Sequence, residues 1–299
     1  MLPLLGSAAA VGGGGATVRS TASGAAVLSA LGQVDVPADP HQVAPGWQAL
    51  RHLRAGSFEV LLDDLDPFRM PATSDVAPRL GAADLDRWDA AFRDAWSLLT
   101  LHHPEVAAEV VGAIRVIVPL IVPPRGQVGS SSAENFGAIA LSESPDPRAF
   151  AVTLAHEVQH LKLSALLDIV SLTRPDEERR FYAPWRDDPR PASGLLQGAY
   201  AYLGVSGFWR RQRDLDHGAA RIRAHAEFAR WREAAASVVE TLRSSGLLTP
   251  AGLEFVEGMA RTLSPWQHEP VPAQALALAR REAEQHLADW RTANGPVRA

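Results

Sequence analysis

Apolar residues recur at helical spacing over most of the chain. Leu85, Trp88, Phe92, Trp96 and Leu99 follow one another at intervals of three or four, which predicts a helix that turns these side chains toward a core. The same spacing predicts helices over residues 195–213, 217–246, 249–263 and 271–291. Thr249 and Pro250 suit the N-cap and first turn of one helix, and Gly246 suits the end of the helix before it.

Two short apolar segments interrupt this helical pattern. IRVIVPLIVPP (residues 114–124) is rich in β-branched residues and ends in prolines, and NFGAIALSES (135–144) follows it, so each predicts a strand. Asp146 and Pro147 then predict the start of another helix. Residues 46–67 mix helix and turn signals, and the proline- and charge-rich residues 173–194 predict a loop. The expected fold is mainly α with a small β-sheet.

Composition narrows the function classes. The 299 residues are 46% apolar and 21% charged with a net charge of −5, so no overall positive field attracts nucleic acid or an anionic membrane. The absence of cysteine excludes disulfides, thiolate metal ligands and a cysteine nucleophile, and is compatible with a cytoplasmic protein. Residues 1–45 are rich in Ala, Gly and Ser and predict a weakly ordered segment, followed by one catalytic domain over 46–299.

The segment LAHEVQHLKLSALLDIVSL (residues 154–172) contains the candidate metal-binding residues. His156 and His160 are four residues apart, so a helix places both imidazoles on one face, where they can bind one metal ion. Glu157 lies close enough to reach a water on that metal. The alternative is a histidine pair held by hydrogen bonds on a buried helix.

The third metal ligand is not evident. Leu163 and Leu166 stand where the metzincin extension needs glycine and histidine. Residues 194–213 contain no carboxylate, which leaves Gln197 as the candidate ligand on the next helix, or as a buried amide bonded to backbone. Asp168 is expected to be too far from the metal. The remaining alternatives are Asp187, Asp188, Asp216 and His217.

A clamp with few protein ligands suits a metal that must also bind a bidentate cosubstrate and dioxygen. An oxoacid cosubstrate needs a cation for its second carboxylate, and Arg186 and Arg190 are the expected residues, while Arg230 is expected to be distant. Five further arginines crowd the same part of the chain, and most are expected to be solvated surface charge: Arg179, Arg180, Arg210, Arg211 and Arg213. Arg210, Arg211 and Arg213 are the next candidates to bind the cosubstrate. The rival interpretation is a zinc peptidase in which Glu157 is the general base.

Three segments together resemble a bacterial protein family. FGAIALS, TLAHEVQHLKLSALLDIVSL and RRFYAPWRDDPRPASGLLQGAYAYLGVSGFWRR are similar to the HExxH-motif peptide-modification proteins of ribosomally synthesised peptide pathways. The resemblance covers roughly residues 80–290 and is most specific over 135–213. It implies an iron(II)- and 2-oxoglutarate-dependent peptide β-hydroxylase with a zincin-like core and the HExxH motif on a central helix.

The resemblance also implies partners and site residues. It implies that His156 and His160 bind iron, that residues around Arg186, Arg190 and Gln197 complete the pocket, and that a precursor peptide and a radical-SAM maturase are the partners. The edge of the strand in NFGAIALS is expected to hold the peptide by strand addition. A peptide-binding module without catalysis is the third possibility.

Overall fold

The computed structural model describes residues 5–8, 15–21, 24–30, 32–70, 75–122, 129–131, 136–144, 146–176 and 178–295. The chain forms two compact units, the first from residues 1–97 and 114–150 and the second from residues 98–113 and 151–299. The predicted catalytic domain over 46–299 therefore contributes to both units. Over the described residues the chain is about 54% helical, which confirms the expectation of a mainly α fold with a small sheet.

Within the described residues the strands lie in the first unit and form three separate sheets. In chain order they are β1 (Gly6–Ala8), β2 (Thr17–Thr21), β3 (Gly24–Ser29), β4 (Gly32–Val36), β5 (Trp47–Ala49), β6 (Arg51–Ala55), β7 (Phe58–Leu62), β8 (Val116–Leu120), β9 (Gly129–Ser131) and β10 (Ala138–Ser142). The largest sheet has the order β6-β7-β8-β10-β9, in which β8 pairs in parallel with both β7 and β10. The two strands predicted from sequence are β8 and β10.

The expectation that β10 offers a free edge is wrong. Ala138–Ser142 pairs with β8 on one side, and Ile139, Ala140 and Leu141 pair with β9 on the other. Both rows of backbone hydrogen-bonding groups are therefore occupied over residues 139–141, and a peptide cannot add there as a further strand.

The N-terminal segment contains regular strands rather than only weakly ordered chain. β2, β3 and β4 form a three-stranded antiparallel sheet, and β1 pairs with β5. Gly24 (φ 147°) and Gly32 (φ 135°) begin β3 and β4 in conformations that favour glycine. The small residues that suggested weak order thus act partly as turn residues. The described part of residues 1–45 also supplies Val27 to a small core around Trp47.

The predicted aromatic helix is α1 (Ala82–His102), which begins in the first unit. Trp88, Phe92 and Trp96 are buried, as predicted. Within the first unit Phe58 of β7 packs on Trp96 with ring centroids 4.2 Å apart, and Trp88 meets Phe150 edge to face at 5.9 Å. The helix ends at His102, because Pro104 starts a new helix and cannot continue the old hydrogen-bond ladder.

The regular secondary structure in the described part of the second unit is helical. Its helices are α2 (Pro104–Ala113), α3 (Pro147–Leu167, whose first turn belongs to the first unit), α4 (Ala192–Leu215), α5 (Gly218–Ser244), α6 (Pro250–Gln267) and α7 (Ala273–Asn294). The core lies among α3 to α6 and includes Leu163, Leu195, Leu196, Val238 and Val256. No described helix is long and apolar enough to cross a membrane.

The predicted helix ends agree with the structure. The carboxylate of Asp146 accepts a hydrogen bond from the Arg148 amide at the start of α3, and the Thr249 hydroxyl accepts one from the Gly252 amide at the start of α6. The described part of residues 173–191 forms no helix, which confirms most of the loop predicted over 173–194. Residues 192–194 belong to α4 instead, and the loop begins earlier than predicted because α3 ends at Leu167. The structure therefore offers α3 and α4, joined by this loop, as the frame of the site.

Candidate metal centre

His156 and His160 turn their ring nitrogens toward each other on one face of α3. The two Nε2 atoms are 3.1 Å apart, and the ring planes are inclined at 74°. Two nitrogens at this separation can each lie about 2.0–2.1 Å from one metal ion, so the pair fits a metal held through two imidazoles. The same separation also suits a hydrogen bond between the rings, the alternative noted from the sequence.

The surroundings keep both rings neutral. Burial and the nearby charge of His160 lower the pKa of His156 to about 3. Burial also lowers the pKa of His160, although its hydrogen bond to Gln197 acts in the opposite direction. A neutral imidazole has one unprotonated nitrogen, which is the form that binds metals. Both histidines are therefore in the protonation state that a metal site requires near neutral pH.

Gln197 contacts His160 on the nitrogen that faces away from His156. Its Oε1 atom lies 3.1 Å from Nδ1 of His160, so the amide can accept the Nδ1 proton and leave the Nε2 lone pair available. α4 comes this close because Gly204 has no side chain, and a Cβ there would lie 2.6 Å from Cγ of Gln159 on α3. In this arrangement Gln197 orients a histidine instead of acting as the third ligand expected from the sequence.

Glu157 is almost completely buried next to the histidines. Its side chain is 1% exposed, and Oε1 lies 3.9 Å from Nε2 of His156. A carboxylate at this distance is too far for a direct hydrogen bond but can reach a molecule held between itself and the histidine nitrogen. Its position therefore permits either a general base or a residue that orients a bound water.

Three aromatic side chains form a wall beside His156. Tyr202 meets the His156 ring edge to face at 5.1 Å, Trp185 stacks on Tyr202 at 4.7 Å, and Trp231 packs against Tyr202 at 4.3 Å. Burial raises the pKa of Tyr202 to about 12, so its hydroxyl stays protonated. The sequence did not indicate this wall, because Tyr202 and Trp231 look like ordinary core residues at helical spacing and Trp185 lies in a loop.

The two arginines expected to bind the cosubstrate are paired with a neighbour. Arg186 Nε and Arg190 Nη1 each lie 3.0 Å from a carboxylate oxygen of Asp188. Their side chains are 55% and 37% exposed. A ligand carboxylate would have to compete with Asp188 for both, so the structure gives these two residues no clear advantage as an anchor.

Arg230, expected to be distant, lies against the aromatic wall. Its guanidinium covers the Trp231 ring at 4.3 Å. Burial raises the pKa of Tyr202, and the positive charge of Arg230 acts in the opposite direction. Over the described residues its hydrogen-bond partner is Glu282 alone, at 3.1 Å. The sequence missed this cation because Arg230 and Tyr202 lie on different helices.

The other candidate ligands do not join the histidines. Asp168 is exposed beyond α3, the Asp187 side chain is fully exposed, Asp216 accepts a hydrogen bond from Gln212, and His217 bonds the Leu215 carbonyl. Over the described part of the chain no group of three or more His, Cys, Asp or Glu side chains is arranged to hold a metal. The donors that fit a metal are therefore the two imidazoles.

Comparison with known proteins adds no assignment. No protein-family model matches the chain, and no curated protein matches it. The resemblance to the HExxH-motif peptide-modification proteins therefore stays a prediction.

Substitutions at the clamp should separate ligands from orienting groups. His156→Ala and His160→Ala should each abolish stoichiometric binding of Co(II) or Zn(II), because each removes one of two nitrogen donors. Gln197→Leu should keep the stoichiometry but weaken affinity by about 10–100-fold, as is usual when a group that orients a metal-bound histidine is removed. Metal analysis and calorimetric titration measure both.

Two results would contradict this assignment. A full metal complement in either histidine variant would mean that the histidines are only hydrogen-bonded to each other. Complete loss of metal in Gln197→Leu, equal to the loss in His160→Ala, would mean that Gln197 is itself a ligand. Circular dichroism of each variant controls for loss of fold.

Proposed function

We propose that the protein is an iron(II)- and 2-oxoglutarate-dependent dioxygenase that hydroxylates a β-carbon in a peptide. The observation that supports this best is the pair of neutral, converging imidazoles, with which no third His, Asp, Glu or Cys of the described residues is arranged to hold a metal. A metal held by two side chains keeps more coordination positions open than one held by three. A bidentate oxoacid, dioxygen and water can use those positions.

His156 and His160 would hold the metal through their Nε2 atoms. When bound, iron(II) with 2-oxoglutarate and dioxygen supplies the oxidant that converts a C–H bond to C–OH, while 2-oxoglutarate loses CO2 and becomes succinate. All atoms of dioxygen are thereby accounted for, one in the alcohol and one in succinate. No protein base is needed for this reaction, which agrees with a supporting role for Glu157.

The chain's own residues prepare the site for this chemistry. The Gln197 side-chain oxygen accepts a hydrogen bond from Nδ1 of His160. This bond fixes the ring so that Nε2 faces His156. Tyr202, on which Trp185 stacks, covers the His156 ring with apolar surface and limits the access of water. Glu157, buried beside His156, can orient a water or a ligand by hydrogen bonding.

The peptide substrate rests on the family resemblance. On that basis the substrate is a ribosomally synthesised precursor peptide, a radical-SAM maturase of the same pathway is a further partner, and the reaction occurs in the cytoplasm. The resemblance includes the segment around FGAIALS, although β10 in that segment has both edges paired over residues 139–141. We therefore do not assign peptide binding to that strand.

Arg230 is a better candidate than Arg186 or Arg190 for the remote carboxylate of 2-oxoglutarate. It stacks on Trp231, which packs on the tyrosine that contacts His156. Its acidic partner Glu282 is shared with Arg223, so one carboxylate serves two guanidinium groups. The side chain of Arg230 is 19% exposed, and a cation in such a partly buried setting pairs more strongly with an anion than one at the surface.

A zinc peptidase is the second candidate, and one observation favours it. Glu157 is buried with its carboxylate 3.9 Å from Nε2 of His156, which is compatible with a general base acting on a metal-bound water. Catalytic zinc usually has three protein ligands, and the described residues offer two. This difference makes the peptidase the weaker proposal.

The reaction itself separates the two candidates. Iron-loaded protein incubated with 2-oxoglutarate and the peptide encoded beside its gene should release succinate and add one oxygen to the peptide. Glu157→Gln should retain metal and part of this turnover, whereas a peptidase would lose several orders of magnitude with its base. Peptide cleavage without succinate, abolished by Glu157→Gln, would establish the peptidase and refute the oxygenase.

Carboxylate binding should depend on Arg230. Removing one partner of a partly buried guanidinium–carboxylate pair leaves the other charge unpaired and lowers the binding free energy. Arg230→Ala should therefore weaken binding of 2-oxoglutarate by about tenfold or more. Binding of 2-oxopentanoate, which lacks the second carboxylate, should not change. Glu282→Gln removes the internal competitor and should leave 2-oxoglutarate binding as tight or tighter. Calorimetric titration of metal-loaded protein measures these affinities.

Arg223→Ala is the matched control, since Arg223 also pairs with Glu282 but lies 47% exposed. It should change the affinity by no more than about twofold, as is usual for exposed ion pairs. If Arg186→Ala or Arg190→Ala weakens binding while Arg230→Ala does not, the sequence-based prediction is right and Arg230 is not the anchor.

A further inference from the structure

The C-terminal helix α7 is attached to the loop between α3 and α4. The Tyr182 hydroxyl lies 2.8 Å from Nδ1 of His286, and the Asn294 side-chain amide donates to the Asp187 carbonyl at 2.7 Å. The Tyr182 ring also meets the Trp290 indole edge to face at 5.2 Å. Three residues on successive turns of α7 therefore contact two residues of the loop.

α7 is itself well fixed within the second unit. Ala275 and Ala279 pack against Ala226 and Ala229 of α5, and Trp290 is 5% exposed. Small residues at such an interface let two helices approach closely. A loop that is hydrogen-bonded to this helix is restrained by it.

The same loop carries Trp185 to the clamp. The Trp185 ring lies nearly parallel to the Tyr202 ring, with an interplanar angle of 17°, and Tyr202 contacts His156. Gly198 on α4 makes room for the indole, because a Cβ at that position would overlap it. Trp185 is three residues from Tyr182 along the loop, so displacement of one displaces the other.

We propose that Tyr182 and His286 are a positioning pair, through which α7 holds Trp185 on Tyr202 and thereby fixes the His156 ring. Neither residue contacts the clamp directly. The inference concerns the geometry of the clamp and holds for an oxygenase or a peptidase alike.

The hydrogen bond in this pair suits a neutral histidine. Burial and the positive charge of Arg230 lower the pKa of His286. A neutral ring that accepts the Tyr182 proton at Nδ1 has its own proton on Nε2, on the side of Asp187, whose Oδ1 is 3.9 Å away. The Asp187 side chain is fully exposed, so the pair relies on the tyrosine bond more than on that carboxylate.

Limited proteolysis of the metal-free protein tests the attachment. Tyr182→Phe and His286→Leu should each increase the rate of trypsin cleavage after Arg179 and Arg180 by about fivefold, which corresponds to the loss of one ordinary hydrogen bond when cleavage follows loop opening. His286→Asn should restore slow cleavage, because its amide oxygen can accept where Nδ1 does. The double variant should cleave no faster than either single variant. Mass spectrometry assigns the cut sites.

Metal affinity provides the second measurement. Both disruptive variants should bind Co(II) more weakly, but by less than the ~10–100-fold expected for a group bonded to the ligand itself, and His286→Asn should recover it. Gln285→Ala, next to His286 and bonded to Asp289, is the matched control and should change neither quantity.

The contrary results are clear. Unchanged cleavage and metal affinity in both Tyr182→Phe and His286→Leu would overturn the inference. Additive effects in the double variant, or no rescue by His286→Asn, would also overturn it, since two unrelated packing losses behave in that way. If His286→Leu fails to fold, Tyr182→Phe still decides, because it removes only the hydroxyl and keeps the shape of the native side chain.

Discussion

The convergence of two imidazole nitrogens on one face of α3 is the constraint on which the rest of the site depends. α3 presents His156 and His160 with their Nε2 atoms 3.1 Å apart, next to the buried carboxylate of Glu157. Polar groups in such surroundings need defined partners, and the neighbouring elements supply them. The Gln197 amide oxygen accepts a hydrogen bond from Nδ1 of His160, and Tyr202 covers the His156 ring.

The site is organised in successive shells around this pair. α4 provides both Gln197 and Tyr202, and it approaches α3 closely where Gly204 faces Gln159. Trp185 from the loop and Trp231 from α5 support Tyr202, and α7 in turn holds the loop through Tyr182 and His286. A chain of contacts thus joins the C-terminal helix to the clamp within one compact unit. Rigid support of this kind is what a metal site with few protein ligands requires.

Local pattern was enough to predict the features that depend on local sequence. The spacing of His156 and His160, the helix start at Asp146, the cap at Thr249 and the strands β8 and β10 all follow from residues close together in the chain. The hairpin of β6 and β7 was missed, although Phe58, Val60 and Leu62 alternate inward beyond a turn at Gly56 (φ 62°). Residues 46–67 also contain helix-forming residues, and strand pairing decided between the two signals.

Features that depend on the packing of distant segments could not be predicted in this way. Nothing in the sequence indicates that Gln197 meets Nδ1 of His160 instead of the metal side, or that β9 covers the outer edge of β10. The same holds for the arginines. The prolines around Arg186 and Arg190 suggested that these two side chains are held toward the pocket, yet both pair with Asp188, while Arg230 reaches the aromatic wall from another helix.

Whether His156 and His160 together bind a metal ion is decided by the state of their ring nitrogens in the metal-loaded protein. Long-range proton–nitrogen NMR correlations of the zinc-loaded protein distinguish metal-bound, protonated and free ring nitrogens. The account predicts metal on Nε2 of both His156 and His160, with a proton on Nδ1 of His160 that is bonded to Gln197. Coordination of His160 through Nδ1, or two rings whose nitrogen shifts do not change when metal is added, would contradict it.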